Sequence, residues 1–235
     1  MNREQFCQWL DNPQGRILAQ NEAVFLKKVI TLSYTQTILQ LGCLGWEDKF
    51  IDCLAYRGFI VLDDCQWSCQ DCIKVDSCVS QLPIASESID MIILPHLLEF
   101  ESNRYQVLRE VERVLKPEGE LIILGFNPWS VFSMRQLWAQ ATQKNSGHSY
   151  FISRTRMINW LRLLNFEAKS VAGFDMREIA TSYDQCVKNK SSSTVSAYAI
   201  HAIKRQFHII PLQPLWGNSR QVALNSSNVS ALTSK

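Results

Sequence analysis

Ile89-Asp90-Met91-Ile92-Ile93-Leu94-Pro95-His96, a helical stretch ending in Leu115-Lys116-Pro117-Glu118-Gly119, and then Leu121-Ile122-Ile123-Leu124-Gly125-Phe126-Asn127 together decide the fold of this chain. The runs 89–94 and 121–124 are short and almost continuously apolar, which is how strands buried on both faces of a parallel sheet read. Between them Tyr105, Leu108, Val111 and Leu115 recur at helical spacing, and Pro117 with Gly119 is expected to end that helix. A strand, a helix and a strand of these lengths make a right-handed crossover. Open sheets of this kind bind ligands at the carboxyl ends of their strands, so Pro95, His96, Gly125, Phe126 and Asn127 are expected at a site.

Upstream, the periodicity predicts two helices, around Phe6, Trp9 and Leu10 and around Val24 to Leu32, separated by an Asp11-Asn12-Pro13-Gln14-Gly15 turn and covering one edge of the sheet. Ile38–Leu41 and Phe59–Leu62 read as strands with a helix from Trp46 to Tyr56 between them, and a short strand is expected at Ile73-Lys74-Val75. Downstream, 131–143 reads as a helix, Ser153 as the cap of another, and Asn165 as a left-handed stop. Phe166–Phe174 and Ser196–Ile203 are the last two expected strands, joined by a loop carrying Ser191 to Ser193. The expected organisation is N-terminal helices over 1–36, an α/β domain over 37–205 and a basic, disordered tail over 206–235.

The 235 residues, 46% hydrophobic and 20% charged, suit one soluble domain with a full core. No run reaches the roughly 18 apolar residues of a membrane span, and the start lacks the pattern of a secretory signal. A cytoplasmic protein is expected, and its eight cysteines are then expected as reduced thiols or a metal site and not as a disulfide framework. A net charge of +2 does not by itself call for a polyanion. No acid follows Asp184, however, while Lys188, Lys190, Lys204, Arg205, Arg220 and Lys235 do, so the C-terminal part is a solvated basic tail or a contact for RNA or acidic lipid.

Leu82-Pro83-Ile84-Ala85-Ser86-Glu87-Ser88-Ile89-Asp90 and Leu108-Arg109-Glu110-Val111-Glu112-Arg113-Val114-Leu115-Lys116-Pro117-Glu118-Gly119 resemble the class I S-adenosylmethionine-dependent methyltransferases of the type 11 group. Gln40-Leu41-Gly42, Leu94-Pro95-His96 and Gly125-Phe126-Asn127-Pro128-Trp129-Ser130 are similar to a small bacterial subgroup of uncharacterised methyltransferases, the YafS-like proteins. The resemblance implies a Rossmann-like α/β fold, a mostly parallel seven-stranded sheet with helices on both faces. It also implies S-adenosylmethionine as cofactor and methyl transfer to an acceptor that fold alone does not identify. A fold of this type that has lost turnover and serves as a binding or scaffold protein is the alternative.

Carried onto this chain, the resemblance makes Leu41-Gly42-Cys43-Leu44-Gly45-Trp46 the cofactor turn, with Gly42 and Gly45 its glycines. Leu44 and Trp46 stand where further glycines are usual, and Gln40 replaces the usual acid. Asp63, with Asp64 beside it, offers a carboxylate for the ribose hydroxyls, and Asp76 is the acid nearest the adenine position, although the usual spacing lands on Cys78. His96 is the candidate base at the transfer point, since an imidazole with a pKa near ~6.5 takes up a proton at neutral pH. A loop-organising role is its other reading. Glu99, Asn127 and Trp129 are expected in the acceptor pocket. Asn127-Pro128-Trp129 resembles the signature of amino-group methyltransferases, but it follows the wrong strand. Cys65, Cys69 and Cys72 have the spacing of a radical-enzyme iron-sulfur motif, with Asp71 where an aromatic is usual, and with Cys78 they could hold zinc. Reduced thiols without metal are the expectation there.

Overall fold

The structure is a computed structural model that describes residues 3–31, 37–50, 58–63, 73–135, 150–180, 182–188 and 195–205. The order of elements is α1 (Arg3–Leu10), α2 (Pro13–Thr31), β1 (Thr37–Leu41), β2 (Gly58–Asp63), β3 (Ile73–Asp76), β4 (Ile89–Pro95), α3 (Arg104–Val114), β5 (Leu115–Phe126), α4 (Arg154–Leu163), β6 (Phe166–Phe174), α5 (Tyr183–Lys188) and β7 (Ala197–Lys204). The seven strands form one sheet in the order β3-β2-β1-β4-β5-β7-β6. All pairs are parallel except those of β7, which runs antiparallel to β5 and β6. Because β1 to β5 run the same way, Leu41, Asp63, Asp76, Pro95 and Phe126 end on one edge of the sheet.

Each face buries its own apolar layer. Phe6, Leu10, Leu18, Phe25, Leu26 and Ile30 of α1 and α2 pack on Ile38, Val61, Met91, Ile93, Ile122 and Leu124. The N-terminal helices therefore cover a face of the sheet and not one edge, as the periodicity alone had suggested. Gly15 permits this compact pair, since a Cβ there would lie 2.4 Å from the Trp9 carbonyl oxygen. On the other face Val107, Leu108, Val111 and Val114 of α3, with Met157 and Leu161 of α4, pack on Leu39, Leu62, Ile92, Leu94, Leu121 and Ile123. Tyr105, expected on this stripe, is 56% exposed and lies against Trp160 instead.

The residues of the type 11 motif work as staples. Glu110 accepts the Leu82 N–H, while Arg113 donates to the carbonyls of Leu82 and Ile84 and to Glu110, tying the loop before β4 onto α3. Asp90 accepts from the Thr37 N–H and from Lys116, which joins the starts of three neighbouring strands.

Two boundaries differ from expectation. Helix α3 stops at Val114, and Leu115 is already extended; Pro117 and Gly119 lie inside β5 and do not cap the helix. The residue before a proline, here Lys116, avoids the helical region, so the helix has to end ahead of Pro117 and is not capped by it. The helix end is closed from far away: the Lys204 ammonium donates to the carbonyls of Glu112 and Leu115. Arg205 likewise pairs with Glu118 and Glu167, so these two basic residues are bound to the domain and do not belong to a free tail.

Elsewhere the expectations meet the chain closely. Asn165 is left-handed with φ 61°, the Ser153 side chain accepts from the Arg156 N–H, and β6 has the expected limits. Helix α5 was not anticipated. Of the helix expected over 46–56, the described part is a 3-10 turn, Glu47–Lys49; of that expected over 131–143, positions 131–135 are helical. The remainder of both, the Ser191–Ser193 loop and the 206–235 tail lie outside the described residues.

Candidate cofactor and transfer site

The carboxyl edge holds two polar clusters, one at the ends of β1 and β2 and one at the ends of β4 and β5. In the first, Gly42 and Gly45 take positive φ (96° and 79°), a backbone form that few other residues adopt. Leu44 and Trp46, at positions where glycine is usual, turn inward and are 6% and 4% exposed, with Trp46 packed edge-on against Phe50. The turn thus keeps two glycines while its bulky side chains join the core. Gln40 donates to the Gly42 carbonyl at 2.7 Å and to Glu47 at 2.8 Å, and the same Glu47 oxygen accepts the Leu44 N–H at 2.6 Å. Glu47 restores a buried carboxylate beside the turn that Gln40 removes from the strand.

Asp63 is fully buried at the end of β2. Its carboxylate accepts the Cys43 N–H at 2.6 Å and both terminal nitrogens of Arg3, at 2.6 and 2.5 Å. Asp76 lies opposite Asp63 in the sheet register and is exposed. Cys43 itself is no nucleophile: burial, followed by the negative charge of Glu47, pushes its thiol up to about 12.

In the second cluster His96 follows β4 with φ 50° and is 1% exposed. Its backbone N–H donates to Leu124, and its ring sits 4.3 Å from that of Phe126. The ring Nε2 lies 2.8 Å from the Glu22 carboxylate of α2, and Nδ1 lies 3.8 Å from Glu99. Burial alone would lower the pKa of His96. The Glu22 charge and hydrogen bond, supported by Glu99, outweigh this and push it up to about 10, a direction that favours the imidazolium form beside Glu22. Glu99 is buried and accepts the Phe126 N–H at 2.7 Å. The Asn127 side chain donates to Val195 and accepts from the Trp129 N–H, whereas Trp129 is 77% exposed. Gly125, also expected here, is fixed by packing: a Cβ would meet the Tyr198 hydroxyl at 2.8 Å.

The residues at the first cluster suit S-adenosylmethionine. Buried Gln40 Oε1 and Glu47 Oε2 lack partners and are acceptors suited to an ammonium group, and Asp63 is an acceptor suited to a ribose diol. Sequence reasoning missed Arg3, Glu22 and Glu47. Glu22 carried a signal, since Leu18, Glu22, Phe25 and Leu26 share one helical stripe and place an acid among core residues. The Cys65, Cys69 and Cys72 motif and Asp64 lie outside the described residues. Cys78 is an exposed thiol 3.0 Å from the Ser80 hydroxyl, and Cys7, Cys43 and Cys186 are buried cysteines outside any disulfide.

Residues 63–123 match the methyltransferase domain family model. The chain is 31% identical over 167 residues to the uncharacterised protein YafS of Escherichia coli strain K12, across 71% of this chain and 67% of that protein. It therefore belongs to the class I S-adenosylmethionine-dependent methyltransferases of the type 11 group, and S-adenosylmethionine is the cofactor that goes with that family. The fold is shared with a Thermotoga maritima S-adenosylmethionine-dependent methyltransferase, described as a possible histamine N-methyltransferase. That match has a TM-score of 0.61 at 16% identity, over 86% of this chain and 96% of that one. It is shared also with the N-methyltransferase NodS of Bradyrhizobium japonicum in complex with S-adenosylhomocysteine (TM-score 0.54, 14% identity, 85% and 91% covered). Among the described residues no helix is long and apolar enough to cross a membrane.

Proposed function

We propose that this protein transfers a methyl group from S-adenosylmethionine to an acceptor that approaches the ends of β4 and β5. The observation that carries this reading is the juxtaposition of the Gly42 turn and Asp63, joined by the Cys43 N–H at 2.6 Å. Gly42 and Gly45 let a ligand approach the backbone, Gln40 and Glu47 receive its ammonium, Asp63 receives its ribose, and Asp76 stands toward its base. The bound cofactor supplies an electrophilic methyl group on a sulfonium. The chain's own task is alignment, which accounts for most of what methyl transfer requires. His96 stands at the transfer point, with Glu99 and Asn127 shaping the wall beside it and Trp129 offering an exposed face on which a flat acceptor stacks. While Glu22 holds the imidazolium, His96 orients and polarises and takes up no proton.

The test is a thermal shift with S-adenosylhomocysteine, since a ligand that binds the folded state alone raises Tm by mass action. Asp63→Ala should abolish most of the shift. No shift in folded wild type at millimolar ligand would overturn the reading in favour of a binding or scaffold protein, which the Arg3 contact on Asp63 favours. With binding established, quinone-like, fatty-acyl and RNA acceptors are the ones to screen.

A further inference from the structure

Helix α1 sets one face against both clusters at once. Arg3 grips both oxygens of Asp63, and a Cβ at Gly42 would lie 2.9 Å from its Nη2, so the guanidinium covers the glycine turn as well as the acid. Phe6, three residues on and hence on the same helical face, stands 5.2 Å from the His96 ring and 5.5 Å from Phe126. One turn of helix thus spans the cofactor cluster and the transfer cluster.

We propose that α1 is an autoinhibitory latch: Arg3 holds Asp63 in competition with the ribose of the cofactor, and binding drives α1 off the site, uncovering His96 for the acceptor in the same movement. This rests on the cofactor reading above. The chemistry is an exchange. Asp63 gives up two charge-assisted hydrogen bonds from Arg3 and accepts two from a vicinal diol; with the Cys43 N–H also on it, the carboxylate has too few acceptor positions for both. The element is suited to the movement, because a helix of eight residues has little stability of its own and depends on the contacts it makes. Those contacts include buried Phe6, Cys7 and Leu10, so the closed state is the resting one and ligand binding must supply the difference.

Two measurements on the full chain test the latch. Removing the competing cation in Arg3→Met should tighten S-adenosylhomocysteine binding about tenfold or more in a calorimetric titration, since the favoured state no longer excludes the ligand. In wild type, saturating S-adenosylhomocysteine should accelerate alkylation of Cys7, which is 5% exposed on α1, as read by peptide mass spectrometry. Equal or weaker binding by Arg3→Met, or Cys7 protected by ligand, overturns the latch while leaving the cofactor reading intact. If Arg3→Met fails to fold, the Cys7 measurement decides. If neither protein binds at millimolar ligand, the cofactor reading fails and takes the latch with it.

Discussion

The two polar clusters on the carboxyl edge are built alike and held differently. In each, a buried ionisable group at a strand end meets an opposite charge from the N-terminal helices: Arg3 on Asp63, Glu22 on His96. Arg3 comes from the first turn of an eight-residue helix and its side chain stays 12% exposed. Glu22 comes from the middle of a nineteen-residue helix, and both members of its pair are fully buried. A pair at a helix end with water beside it can exchange partners, whereas a pair sealed in the core has no replacement for either charge. The Arg3–Asp63 pair is thereby the more exchangeable of the two, and the Glu22–His96 pair belongs to the packed core.

The sharpest way to break this contrast is to remove each helix charge in turn. Glu22→Ala should destabilise by about 3 kcal/mol or more, because it leaves the buried His96 ring without the carboxylate that pairs with it at 2.8 Å. Arg3→Met should cost less, about 1 to 2 kcal/mol, since solvent reaches the Arg3 side of that pair and the Cys43 N–H still donates to Asp63. Equal losses in urea unfolding would erase the distinction between a sealed and an exchangeable pair.

A second measurement sharpens it. His96 has its folded pKa raised above its unfolded value, so its contribution is fully present below about 6.5. It is lost as pH rises toward about 10, the direction that linkage requires of a raised pKa. Wild-type stability should decline over that window, and Glu22→Ala, which keeps only the weaker Glu99 contribution, should show a flatter profile there. A wild-type curve as flat as the variant's would mean that the ring is not held as an imidazolium.

The smallest effect belongs to the rim. Trp129 is 77% exposed, so Trp129→Ala should change stability by no more than about 0.5 kcal/mol. Its acceptor KM should rise with kcat nearly unchanged once an acceptor is known, and an unaltered KM would remove Trp129 from the pocket.

How far these features could be read in advance follows from how local their causes are. Ile89–Leu94 and Leu121–Leu124 announced buried parallel strands because burial on both faces leaves continuous apolar runs. The Gly42 turn and Asn165 were legible because a left-handed backbone selects a small set of residues. The end of α3 was misread by a few residues, since a proline acts on the residue before it and the closing contact comes from Lys204. Tyr105 kept the right period and still faces outward, because the stripe on α3 is chosen by the strands beneath it.

The sequence by itself determined the class of sheet, the strand ends that carry Gly42, Asp63, His96 and Asn127, and the methyltransferase family. Those depend on periodicity and on residues adjacent in the chain. Only the tertiary structure decided that Asp63 is gripped from 60 positions away by Arg3, and that His96 is paired with Glu22 from 74 positions away. A pKa, and the availability of a carboxylate, are properties of the groups that folding brings within about 4 Å, and no local pattern records which those will be.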